Sequence, residues 1–162
     1  MNHALSIIAD EHRSLAAVLK GLQTHVADAR AGRSSPDFHL AGAMLDYIQA
    51  FPERLHHPKE DEYLFRYLRA RSAEAGRLLD ELETQHVEGA ELLADLRKSL
   101  DQSRAAGNLS EFAVALDAYA QFQWGHMRKE EEEVFPMAQR HLTEQDWQAI
   151  DAAFRANVDR TW

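Results

Sequence analysis

The sequence predicts an all-α fold: an up-down-up-down four-helix bundle with a short fifth helix at the C-terminal end. Apolar residues recur at spacings of three and four along four long stretches, as they do when one helix face meets a core. Short segments with turn chemistry join those stretches, which makes consecutive helices antiparallel neighbours. Helix breakers are scarce, with seven glycines and four prolines in 162 residues.

Helix 1 is expected from about Ala4 to Arg30, with Leu5, Ile8, His12, Leu15, Leu19 and Leu22 as one stripe. The segment GRSSP, Gly32 to Pro36, then supplies a turn and a helix start near Asp37. Helix 2 runs to about Arg71 on Leu40, Met44, Tyr47, Ile48, Phe51, Leu55, Leu64, Phe65 and Leu68. Pro52 should kink or restart it, because proline has no N–H for the preceding turn, and Pro58 interrupts it again. Ser72 is the expected cap of helix 3, whose stripe is Leu79, Leu82, His86, Leu93, Leu96 and Leu100. Ala106 to Asn108 ends that helix, and Ser110 is the expected cap of helix 4, which carries Phe112, Leu116, Tyr119, Phe122, His126, Glu130, Val134 and Met137. Thr143 is expected to cap a fifth helix reaching about Val158. The whole chain, 1–162, reads as one domain with a bundle core at 4–141 and a C-terminal extension at 143–162.

Composition narrows the function. A net charge of -9 without any Lys/Arg-rich run opposes binding to nucleic acid or to an anionic membrane surface, and suits cations. No apolar run approaches the roughly 18 residues of a membrane helix, and the N-terminus lacks the basic and apolar segments of a signal peptide. A cytoplasmic protein is therefore expected. The absence of cysteine removes disulfides, iron–sulfur ligation and thiol chemistry, so any metal must be held by nitrogen and oxygen.

The chemistry concentrates in a duplicated motif. HMRKEEEEVFP at His126 to Pro136 is echoed by HHPKEDEYLF at His56 to Phe65, which aligns His126 with His56, Glu130 with Glu60, Glu131 with Asp61, Val134 with Leu64 and Phe135 with Phe65. In each copy a histidine and a glutamate stand four residues apart, on nearly one helix face and close enough to share a metal. His12 and His86 add one stripe histidine on each of the other two helices.

Helices 1 and 3 begin where helices 2 and 4 finish, so depth can be counted from that common end. His12, His56, His86 and His126 lie about 8, 15, 12 and 14 residues in, or roughly 12 to 22 Å at 1.5 Å per residue, which allows one layer. A lone histidine on an apolar stripe is ordinarily satisfied by a carbonyl or a water. Four at similar depth would each cost on the order of 1 to 3 kcal/mol if unsatisfied, and a shared metal centre satisfies them together.

By angle alone Glu133 also faces inward, at about -20° from His126 against about +40° for Glu130. Its counterpart is Tyr63, however, and it lies roughly 10 Å along the axis. Glu131, Glu132, Asp61 and Glu62 are expected to be solvated acids. His57 is set aside because its counterpart is Met127, and His3, His25, His39 and His141 because the other half has no equivalent. Trp124 and Phe122 are expected in the core. The candidate metal ligands are thus His12, His56, Glu60, His86, His126 and Glu130. One metal cannot readily use all six, whereas two metals bridged by the carboxylates can; the donors suit iron, manganese or zinc.

These segments resemble the hemerythrin-like, or HHE cation-binding, family of four-helix di-iron proteins. The likeness runs from Ile7 to about His141 through DEH on helix 1, HHPKEDEYLF on helix 2, QHVEG on helix 3 and HMRKEEEEVFP on helix 4. It implies two iron ions, oxo-bridged, with Glu60 and Glu130 as bridges and the four histidines as terminal ligands. Oxygen-carrying members add a fifth histidine one turn after the helix 3 ligand, where this chain has Ala90. An open position on each iron then follows, which implies sensing of, or reaction with, O2, NO or peroxide as the small-molecule partner. A di-iron redox enzyme of peroxidase or NO reductase type, or an iron store or sensor, is the alternative. Members tied to nitrosative stress and repair of iron–sulfur centres commonly carry a cysteine-bearing N-terminal segment; without cysteine, the repair role is not expected here. The ferritin-like di-iron template needs ExxH on helices 2 and 4, but helix 4 has Gln123 in place of that glutamate and helix 3 carries Glu83 with His86, so that template is rejected.

Overall fold

The computed structural model describes residues 2–158, and among them five helices follow one another without a strand. α1 spans His3–Arg30, α2 is a continuous run over 38–71, α3 spans Gly76–Ala106, α4 covers 110–141 and α5 spans Glu144–Val158. Residues 159–162 of the expected extension lie outside the described part.

Local chemistry fixes the ends. Asn2 accepts from Ala4 N at 2.8 Å to start α1, and Asp37 accepts from Leu40 N at 2.9 Å to start α2. α3 ends on Gly107, whose φ of 75° is the left-handed turn that glycine adopts without strain. Thr143 caps α5 as expected, in a reciprocal box: its hydroxyl accepts from Asp146 N at 3.1 Å and Asp146 accepts from Thr143 N at 3.1 Å. Arg71 donates to both oxygens of Asp146, at 2.8 and 3.1 Å, and ties the end of α2 to the start of α5.

Three details differ from the sequence reading. Ser72 makes no side-chain cap; its backbone is extended, and a single 3-10 turn, Ala73–Ala75, leads into α3. Ser110 is not a cap either, because Asn108 Oδ1 accepts from Ser110 N at 3.1 Å and Ser110 already lies in the helix. Leu40 is exposed, while Ala41 and Leu45, four residues apart on one face, fill the core.

Pro52 neither breaks nor restarts α2. The helix widens around it into a π-helical segment, Gln49–His56, and widens again over Glu60–Phe65; α4 does the same over Glu130–Val134. A wide turn relieves the missing donor and the ring clash of proline. Each copy of the duplicated motif therefore carries a π segment that begins at its glutamate.

Two apolar clusters fill the bundle. One joins Leu5 and Ile8 of α1 to Leu64, Phe65 and Leu68 of α2, Leu79 and Leu82 of α3, Val134 and Phe135 of α4, and Ile150 and Phe154 of α5. It contains the start of α1 and α3 and the end of α2 and α4, so neighbouring helices are antiparallel, as the sequence predicts. The other joins Leu15, Leu19, Leu22, Leu45, Ile48, Leu93, Leu96, Phe112, Leu116 and Tyr119. Each fully buried leucine or phenylalanine contributes about 1.5 to 3 kcal/mol. Between the clusters lies a layer of buried polar groups.

Candidate metal centre

That layer contains all six candidate residues. His12 is 5% exposed, His56 3%, His86 7% and His126 3%, while Glu60 and Glu130 are wholly buried. Their facing atoms converge: His56 Nε2 lies 3.2 Å from Glu60 Oε2, His86 Nε2 3.2 Å from Glu60 Oε1, and His12 Nε2 and His126 Nε2 3.1 and 3.4 Å from Glu130 Oε1. None of the four Nε2 atoms, and none of the four carboxylate oxygens, has a hydrogen bond of normal geometry. Two donors bound side by side at about 2.1 Å would stand about 3 Å apart, so the spacing and the unpartnered atoms fit a metal ion.

The donors fall into two overlapping sets. His12, His56, Glu60 and Glu130 form one; Glu60, His86 and His126, with His57 nearby, form the other, each set having its ligand atoms within 4.8 Å of one another. Glu60 belongs to both, with one oxygen toward each. The oxygen of Glu130 that touches His12 also touches His126, so it too reaches across.

The outer nitrogens are as ordered as the inner ones. His12 Nδ1 lies 2.9 Å from Glu131, His56 Nδ1 2.6 Å from Glu11, His86 Nδ1 2.8 Å from Asp61 and His126 Nδ1 2.7 Å from Gln85 Oε1. Carboxylate and amide oxygens only accept, so each Nδ1 carries a proton, which leaves Nε2 as the atom that would give its lone pair to a metal once its own proton is displaced. Asp61 and Glu131 keep the solvent exposure expected of them, and in addition hold the histidines of α3 and α1.

The pattern is a twofold. Glu11-His12 on α1 corresponds to Gln85-His86 on α3, and each first residue holds the histidine of the following helix; Glu60-Asp61 corresponds to Glu130-Glu131. Glu11 and Gln85 escaped the sequence reading, although their shared place beside the stripe histidines was visible there.

His57 also escaped it. The residue is 6% exposed, and its ring lies 4.3 Å from the His86 ring at an interplanar angle of 15°. Phe65 lies on His86 as well, at 5.7 Å and 4°, so the His86 imidazole is held between two near-parallel rings. The Nδ1 of His57 stands 3.6 Å from Glu53 Oε1. Of the other histidines, His3 and His39 are exposed and His25 accepts from Asp37 N at the turn after α1. Glu83 pairs with Arg69 away from the layer, in line with rejecting the ferritin-like template.

Charge in the metal-free chain follows from this packing. Burial alone lowers the His12 pKa, but Glu130, Glu131 and Glu60 override it and raise it well above 6.5. Burial is likewise overridden at His56, raised to about 9 by Glu60 and Glu11, and at His86, raised to about 10 by Asp61 and Glu60. His57 follows its burial down to about 4. Burial pushes Glu60 and Glu130 up; surrounding histidines win and hold both below the usual carboxylate range, although Glu60 itself opposes ionisation of Glu130. The pocket thus favours cations, protons or metal, that neutralise two buried carboxylates.

α5 closes the layer on the α1–α2 side. Phe154 meets the His56 ring edge at 6.0 Å, Asn157 Nδ2 donates to Glu11 at 3.2 Å, and Lys59 donates to Asn157 Oδ1 at 2.5 Å and to Ala153 O at 2.9 Å.

The family model of the hemerythrin HHE cation-binding domain matches residues 3–138. The chain belongs to that family. Neither a curated protein nor a solved structure matches it at a significant level. The match covers the four bundle helices and ends before α5, so the contacts of this HHE protein's Asn157 and Phe154 to the layer are made from outside the matched region. The buried His/Glu cluster is compatible with the metal binding that the family name states. Among the described residues, no helix is long and apolar enough to cross a membrane.

Proposed function

We propose that this HHE protein holds two iron ions in the buried layer and binds a small molecule, O2, NO or peroxide, at the pair. One position takes His12 and His56, the other His86 and His126, and Glu60 and Glu130 span the two. The observation that carries this reading is the double membership of Glu60: a buried carboxylate with one oxygen aimed into each of two donor sets has little use unless both hold a cation. Imidazole and carboxylate donors suit iron and do not exclude manganese or zinc.

A bound iron pair would supply redox-active Lewis-acid sites. The protein's part is to fix the donors before the metal arrives. Glu11, Asp61, Gln85 and Glu131 set the imidazole tautomers, the two apolar clusters keep bulk water from the layer, and α5 covers one flank. Two imidazoles per position leave coordination free for an exogenous ligand, and binding or sensing is favoured over turnover. The chain is read as a single cytoplasmic domain over 1–162, with 143–162 as its extension.

The test is metal content per chain by elemental analysis on protein from iron-supplemented cells, with a visible spectrum of the same sample. Near two irons with near-ultraviolet oxo-to-iron absorption is the expected result. No metal, or a single tightly held zinc, would overturn it.

A further inference from the structure

α5 carries one residue that its docking on the bundle does not explain. Ile150, Phe154 and Asn157 lie at i, i+4 and i+7, so they share the face that α5 turns inward, and all three are buried. Ile150 and Phe154 belong to the apolar cluster. Asn157, 1% exposed, holds a core place where a leucine would bury more apolar surface.

Its bonds run to the metal layer instead. Lys59 Nζ donates to Asn157 Oδ1 at 2.5 Å, and Asn157 Nδ2 donates to both oxygens of Glu11, at 3.2 and 3.4 Å. An ammonium only donates and a carboxylate only accepts, so the amide has one orientation between them. Glu11 Oε1 in turn holds His56 Nδ1 at 2.6 Å, and Phe154, one turn before Asn157, meets the edge of the same imidazole.

Glu11 is the acceptor that needs this help. The side chains of Glu131 and Asp61 are 41% and 34% exposed and Gln85 is half-buried, so water reaches all three; the Glu11 side chain is 9% exposed. A buried carboxylate takes its orientation from protein donors rather than from solvent, and here those donors are His56 and Asn157. The other half is closed differently. Lys129, the counterpart of Lys59, donates at 2.8 Å to Glu81 of α3, and the counterpart of Glu81 on α1 is the buried Ile7. One half ends in an ion pair between its own helices; the other turns its lysine to α5.

We propose that Asn157 is a positioning residue for the His12–His56 metal position: it fixes the Glu11 carboxylate that orients His56, so that α5 tightens one position of the pair and not the other. The inference rests on the metal-pair reading for what His56 binds. It makes the pair unequal, with release of one metal governed by a helix outside the region that the family model matches.

The experiment compares two variants with the unaltered full chain. Asn157→Leu removes both amide bonds and keeps the bulk; Asn157→Asp keeps the acceptor for Lys59 but sets a second carboxylate against Glu11. Chelator competition on iron-loaded samples gives the affinity of each metal. The downfield imidazole N–H proton signals are followed in the same proteins without metal, the signal lost in Glu11→Ala being that of His56 and the signal lost in Gln85→Ala that of His126. Both variants should take up two metals from excess iron, with one metal then held about tenfold more weakly and the other within about twofold of the unaltered protein. The His56 signal should move upfield, because a loosened Glu11 bonds it less strongly, and the His126 signal should stay. Equal loosening of both metals, or a His56 signal that stays in place, would overturn the proposal. So would a loss confined to Asn157→Leu, since the bond to Lys59 would then be all that Asn157 provides. Should Asn157→Leu fail to fold, Asn157→Asp decides by the same readings. Absence of metal from the unaltered protein would instead sink the metal-pair reading, and the His56 signal would still judge the grip of Asn157 on Glu11.

Discussion

The α1–α2 half and the α3–α4 half of this bundle carry the same polar skeleton. In each, one helix gives a histidine preceded by Glu or Gln, and the next gives His-x-x-x-Glu followed by an acid, with the acceptor of one helix holding the histidine of its neighbour. What the halves share is the buried His/Glu cluster, which is compatible with metal binding. What they do not share, Glu11 against Gln85, His57 against Met127 and Leu15 against Gly89, surrounds the donors and makes the two positions chemically unequal. Duplication accounts for the centre, and divergence shapes its surroundings.

The shared part is broken most severely at the residue that serves both sets. Glu60→Ala should abolish metal binding at both positions, since each loses an oxygen and His56 and His86 lose their common neighbour. Glu130→Ala should also deplete metal, and Glu133→Ala should leave it at the level of the unaltered protein. Elemental analysis of the three variants tests this; equal depletion in Glu130→Ala and Glu133→Ala would refute the assignment of faces.

One step outward, Asp61→Ala and Glu131→Ala should each weaken metal binding about 10- to 100-fold, because a ligating imidazole loses the acceptor that fixes its tautomer. Glu62→Ala and Glu132→Ala, one residue on, should change little. Competition with a chelator measures all four. Indistinguishable affinities would mean that the twofold of outer acceptors is incidental.

The bundle, the element order and the convergence of the six candidate residues in one layer were legible because periodicity reports burial and the HxxxE repeat marks equivalent positions. Their surroundings were not. Asp61 and Glu131 sit in acid-rich runs, and no periodicity distinguishes an acid that bends back to a neighbouring helix from one in water. His57 was set aside by symmetry, which finds what the halves share and is blind to what one half adds. At Pro52 the expected restart is absent and the run continues as a wider turn: proline excludes the regular α-helical bond but leaves that turn available, and the local sequence does not report which the packing selects.

Without metal, the halves should respond to pH through their protons. His56 and His86 are raised from 6.5 to about 9 and about 10, so their stabilisation is complete below about 6.5 and is lost as pH rises through those values. His57 runs the other way. Lowered to about 4, it refuses a proton that the unfolded chain accepts, so stability falls as pH drops from 6.5 toward 4. Glu60 and Glu130, held low, add to that loss in more acid solution. The Tm of the metal-free chain should therefore peak near pH 6.5. The Tm gained on loading metal should grow steadily with pH above it, since cation and proton compete for the same atoms. A metal-free Tm still rising from pH 7 to 10 would contradict the packing of histidines on carboxylates.

The smallest effect on metal should come from making the halves alike at His57. The His57 and His86 rings are 4.3 Å apart and nearly parallel, so their in-plane lone pairs run side by side and cannot meet at one ion about 2.1 Å from each. His57 is close enough to count among the donors, yet its ring direction makes it a support for His86. His57→Met, which copies Met127, should therefore keep two metals per chain and lower Tm only modestly, since methionine also packs against aromatic rings. Loss of one metal of two would instead make His57 a direct ligand of the His86–His126 position. That position would then hold three imidazoles against two, a difference in ligand number between the halves rather than in their surroundings alone.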